Sequence, residues 1–150
     1  MTNNVEEIQE RRNASQQVIE HMLKERNQLF SLLLQVSSDE NQAIDPKDDL
    51  EELVQVLVDY IAAAHFGLYE HISEGKERRK AVSDLAIKIY PRIEQTTEIA
   101  LAFDEKYNPD NTDRNLSNLH ADLSMLFEEL STRIELEDQL INLLLGNNPN

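Results

Sequence analysis

The sequence predicts an all-α protein, an antiparallel four-helix bundle with an additional short helix at the N-terminus. Three observations predict it. The chain holds three Gly, four Pro and no Trp in 150 residues, where a sheet would need more turn residues and more aromatics. Apolar residues recur every three or four positions through most segments. The polar connections between those segments carry residues that start and stop helices. A chain of this length buries roughly two thirds of its unfolded surface in one core, so one domain over residues 1–150 is expected, with a fraying tail at 146–150.

The elements follow in order. Val5 and Ile8 start a stripe that resumes at Val18, Ile19, Met22, Leu29, Leu33 and Val36. Asn13, Ala14 and Ser15 interrupt it, so a short helix and then a longer one are expected, with Ser15 as N-cap. The polar run SSDENQAIDP at 37–46 connects to the next helix. There Asp45, Pro46, Asp48 and Asp49 place a cap, a proline with no amide to lose, and negative charge at the positive helix end. Leu50, Leu53, Leu57, Ile61, Ala64, Leu68 and Ile72 then hold one stripe, and Gly75 is the stop, giving a helix from 46 to 73.

The following helix keeps one apolar face from Val82 to Phe103 through Pro91, which removes a hydrogen bond and should kink it. Residues 104–113 read as a loop. The last helix has Leu116, Leu119, Leu123, Leu126 and Leu130 spaced 3, 4, 3, 4, and continues through Ile134, Leu140 and Leu144 to Gly146.

Composition narrows the function. There is no cysteine, which excludes disulfides, thiolate metal sites and cysteine nucleophiles. A formal charge of −15 repels phosphate backbones and anionic headgroups, so neither direct nucleic-acid binding nor membrane binding is expected. A basic protein is the complementary partner. The opening MTNNVEEIQERR has no apolar signal segment, and the most apolar runs are too short or too interrupted to span a bilayer. A cytoplasmic location is expected.

The stretch DYIAAAHFGLYEH at 59–71 carries the most chemistry. At about 100° per residue, Asp59, Ala63, Phe66 and Glu70 fall opposite the core stripe, with Ala62 and Tyr69 flanking them. Two explanations remain open. Either the helix is packed on both sides with Phe66 as core, or the alanines open a cleft, Phe66 and Tyr69 anchor a partner, and Asp59 and Glu70 orient it. His65 lies near the edge of the core stripe and reads as an interior histidine hydrogen-bonded near Tyr69. No nucleophile and base are placed by a motif, so no enzyme and no cofactor are expected. The chain lacks the paired Glu-x-x-His motifs of di-iron bundles. His21 with Glu25 and His71 with Glu74 leave any metal site incomplete.

Three segments, LVDYIAAAHFGLYEHI (57–72), AIKIYPRIEQTTEIALAFDE (86–105) and ELEDQLINLLL (135–145), resemble in order and separation the signature segments of the Rsd/AlgQ family. The resemblance covers most of the chain. It implies a helical-bundle anti-sigma factor of the bacterial cytoplasm, monomeric when free. Its partner would be region 4 of the primary sigma factor, a basic helix-turn-helix unit. Binding would sequester the sigma factor from core RNA polymerase and −35 promoter DNA, without enzymatic chemistry, and favour alternative sigma factors. Carried over by residue, Asp59, Tyr60, His65, Phe66, Tyr69 and Glu70 are implied to line the partner-binding or regulatory cleft, to which the wheel adds Ala63. Tyr90 and Pro91 shape the bundle, and Glu137 with Asp138 are either partner contacts or buried polar links to the 59–70 helix. The family commonly has Ser-Ala-Gly where this chain has Ala62, Ala63 and Ala64, so a hydroxyl and a glycine are lost. The chain departs again at Glu20, His21, Met22 and Leu23, where the family has Asp-Arg-Trp-Leu. A metal- or small-ligand-binding bundle, using His65, Tyr69 and nearby carboxylates, and an adaptor for another protein are the alternatives.

Overall fold

The computed structural model describes residues 3–38, 46–73, 79–113 and 115–146. The expected cap at Asp45 and stop at Gly75 lie outside the described residues. The helices are α1 (Asn3–Ser38), α2 (Pro46–Ala64), a π turn (His65–Tyr69), α3 (Glu70–Ser73), α4 (Lys80–Tyr107) and α5 (Leu119–Leu144). Because α2, the π turn and α3 are continuous, they form one rod over 46–73, and the described residues make four rods.

The expected short N-terminal helix is not separate. The 36 residues of α1 run unbroken through Asn13, Ala14 and Ser15, so Ser15 stands within a helix and not at the start of one. Asn and Ser each cost no more than about 0.7 kcal/mol relative to Ala inside a helix, too little to stop one without a Gly or Pro beside them. The loop expected from residue 104 begins four residues later, because α4 continues to Tyr107. It ends where Asn108 turns extended ahead of Pro109, whose ring disfavours helical backbone at the preceding residue. The fully buried Tyr107 packs on Phe103, with ring centroids 4.6 Å apart.

Cross-links fix how the rods lie. Lys106 and Tyr107 near the end of α4 bond Asp122 near the start of α5 at 2.7 and 2.5 Å. Thr96 and Thr97 mid-α4 meet Arg133, while Arg79, just ahead of α4, donates to the Leu143 and Leu144 carbonyls at the end of α5. The contacts run in opposite order along the two helices, as in an antiparallel pair. Pro91 lies on the exposed side of α4, and the buried face of Ile89, Ile93, Thr96, Ala100 and Phe103 continues past it. The last helix ends at Leu144, and the expected stop, Gly146, follows two residues later with a φ of 75° that suits a residue without Cβ, its amide reaching the Leu143 carbonyl at 3.2 Å.

The core runs the length of the bundle. Leu29 and Leu33 of α1, Leu50, Leu53 and Leu57 of α2, and Leu126, Leu130 and Leu140 of α5 are almost wholly buried. Each such side chain contributes about 1.5–3 kcal/mol of transfer free energy. No helix among the described residues is long and apolar enough to cross a membrane.

Candidate functional site

The leucine spacing of α5 continues past Leu123, Leu126 and Leu130 to positions 133, 137 and 140. Arg133 and Glu137 therefore occupy core positions of the stripe, and both are buried. A buried charge must be paired and hydrogen-bonded, and here it is. Arg133 Nε donates to Glu137 Oε2 at 3.0 Å, one turn along the same helix. Arg26 of α1 donates to Glu137 Oε1 at 3.2 Å and to Asp138 at 2.7 Å. The Tyr60 hydroxyl donates to Glu137 Oε1, and the Tyr69 hydroxyl to Oε2 at 3.0 Å.

The network extends to α4 through Arg133, which donates to Thr97 Oγ1 at 2.7 Å and Thr96 Oγ1 at 3.2 Å. The Thr96 hydroxyl in turn donates to the Ile93 carbonyl at 2.6 Å. Two cations and two carboxylates thus sit together, and all four rods contribute. Burial, reinforced by the Glu137 charge, pushes the Tyr60 and Tyr69 hydroxyls well above the ordinary tyrosine range. Burial works against the Arg26 charge, but Tyr60, Asp138 and Glu137 outweigh it and move its pKa up. Arg26 Nε lacks a hydrogen-bond partner among the described residues, so its head is less fully satisfied than that of Arg133.

Tyr60 and Tyr69 could not both reach Glu137 from a regular helix. Nine residues at about 100° each leave them about 180° apart. The π turn, closed by the Glu70 amide on the His65 carbonyl, absorbs an extra residue, which reduces that angle to roughly 80°. Gly67 inside the turn allows α1 to approach, since a Cβ there would collide with Cγ1 of Val18.

Outside this centre, the rod of α2 and the π turn and the facing side of α4 enclose an open groove of about 550 Å³. Val58, Ala62, His65 and Phe66 form one wall, Glu94, Glu98 and Leu101 the other, and the buried Tyr69 and Arg133 lie at its base. Phe66 is 67% exposed, with the His65 ring edge-on at 4.9 Å.

Of the residues singled out in the sequence, Ala62, His65, Phe66, Tyr69 and Tyr90 line this groove. Asp59 is exposed beside it and accepts a hydrogen bond from Gln55 at 3.0 Å. Ala63 packs half-buried against the core, and Glu70 is half-buried. Tyr60 and Glu137 are fully buried, and Asp138 is half-exposed on Arg26. Glu137 is a buried polar link to the 59–70 helix, whereas Asp138 is not buried and pairs with Arg26 of α1. Tyr90 packs its ring against Tyr69 at 6.0 Å. His65 is exposed rather than interior.

Sequence reasoning missed Arg26, Arg133, the two threonines, and Glu94, Glu98 and Leu101 of the groove. For Arg133 the signal was present as a charged pair in register with the leucines; for Arg26 it was not. Among the described residues no three His, Asp or Glu side chains cluster as a metal site would need, and His21 and Glu25 pair alone at 3.8 Å.

Fold and site define a helical bundle with a largely buried polar centre and a solvent-open groove displaying an aromatic ring beside acidic side chains. The chain belongs to the Rsd/AlgQ family, described as regulators of the RNA polymerase sigma(70) subunit, whose family model matches residues 1–145. It is similar to "Regulator of sigma D" of Enterobacter sp. (strain 638), 31% identical over 153 residues that cover 99% of this chain and 92% of the relative. It is also similar to the proteins of that name from Yersinia pestis (31% over 150 residues, 94% and 87%) and Yersinia enterocolitica (29% over 149 residues, 94% and 88%).

Proposed function

We propose that this protein is an anti-sigma factor that binds region 4 of the primary sigma factor and withholds it from core RNA polymerase and −35 promoter DNA. The reading rests on family membership and on one observation above others. Phe66 stands 67% exposed in a groove of a strongly acidic protein. An isolated exposed aromatic is unremarkable on a surface, but one in a concave site flanked by carboxylates has the form of a binding anchor. Asp59 and the overall negative charge complement a basic helix-turn-helix unit and speed encounter with it. The mechanism is stoichiometric, and the free protein acts as a monomer in the cytoplasm.

Titration with isolated region 4 of the cognate sigma factor at two salt concentrations tests this. Binding is expected to weaken with salt, and Phe66→Ala to weaken it by about 2 kcal/mol with helicity intact. Absence of binding at low salt, or loss of helicity in the variant, would contradict the reading.

A further inference from the structure

We propose that the groove seats a single amphipathic, cationic helix of the protein partner, with α4 supplying half of the docking surface. The inference rests on the partner-binding reading above and adds the shape of the bound segment and its contacts on α4. The walls are matched in length. Val58 to Phe66 on one side and Glu94 to Leu101 on the other each cover about 10–12 Å, or two helical turns. A helix with apolar residues at i, i+3 or i+4, and i+7 spans the same distance.

The fold also selects a helix over an extended segment. The walls are helices whose backbone groups are already paired internally, so they have no edge to which a strand could add. The occupant must satisfy its own backbone. Ala62 leaves room for close approach, while Phe66 and the 49% exposed Leu101 face it with apolar surface from both sides.

Charge sets the rest. Glu94 and Glu98 are exposed, one turn apart, and neither has a hydrogen bond or ion pair among the described residues. Like charges at this spacing disfavour the free helix, and a cation laid between them removes the penalty. The guanidinium at the base of the groove, Arg133, is committed to Glu137, Thr96 and Thr97 and does not neutralise them. With a formal charge of −15, a second copy of the chain or an anionic lipid surface is repelled where a Lys- or Arg-bearing helix is drawn in.

The test measures the affinity of labelled region 4 for the full chain and its variants, with sedimentation of the protein alone. Leu101→Ala is expected to weaken binding about tenfold. The double variant Glu94→Gln with Glu98→Gln, which alters only exposed side chains and so leaves the fold intact, is expected to weaken it about tenfold at low salt and much less at high salt. Removing the same charge from exposed Glu128 and Glu135 of α5, outside the groove, should have a clearly smaller effect. If Phe66→Ala weakens binding and the α4 variants match the α5 control, the role of α4 is overturned while the partner assignment stands. If the wild-type chain does not bind region 4, both fall. Concentration-dependent self-association abolished by Leu101→Ala would overturn the proposal in favour of a second copy.

Discussion

Glu137 is the residue on which the most groups converge, with four donors from Arg26, Tyr60, Tyr69 and Arg133. Replacing it by Ala would strand two buried guanidinium groups, a loss of about 3–5 kcal/mol where one partner of a buried ion pair is removed. Asp138→Asn, on a side chain 51% exposed, should cost under about 1 kcal/mol. Urea denaturation of the two variants checks the contrast, and comparable midpoints would show that the buried network is not what holds the rods. Gly67→Ala makes a separate case. Its methyl group would meet Val18, so a loss of about 1–3 kcal/mol is expected, partly restored when Val18→Ala is added.

At the scale of an element, the π turn decides which side chains of the second rod face inward. It was not legible beforehand, because a helical wheel presupposes one angle per residue. Tyr69 was accordingly placed beside Phe66 on the outer face, whereas it is buried on Glu137. Gly67 in mid-helix was the available hint, as glycine there commonly marks a close approach. Tyr69→Phe keeps the ring and removes the hydroxyl. It is expected to cost about 1.5–3 kcal/mol, as for a hydrogen bond to a charged group, and to speed hydrogen exchange at the Glu70 amide that closes the turn. Unchanged exchange there would mean that the tyrosine does not hold the turn. By contrast, α5 was legible as a helix, although Leu116 lies ahead of its first turn and Ile134 is only half-buried. Continuing its count of three and four past Leu130 reaches the buried Arg133 and Glu137, which a stripe drawn by hydrophobicity through Ile134 passed over.

For the whole molecule, alkaline pH is the informative variable. Tyr60 and Tyr69 keep their protons in the folded state to higher pH than in the unfolded chain, where tyrosine titrates near about 10. The folded state then binds more protons than the unfolded state, so stability falls as pH rises. The contribution is complete below about pH 10 and is lost progressively above it. Thermal melts from pH 8 to 11 should show a falling Tm above pH 10, and the fall should be shallower in Tyr69→Phe.

The all-α class, the rod over 46–73, the stop at Gly146 and the strongly negative charge follow from residue order and composition, because helix periodicity, caps and net charge are local or additive properties. Which charges are buried, which tyrosines turn inward, and that Phe66 is left facing solvent depend on groups far apart in the chain meeting at one point. Arg26 and Glu137 are 111 residues apart, and their pairing is an outcome of packing. Periodicity describes one helix at a time, whereas the cost of burying a charge is settled only by the partners other helices bring to it.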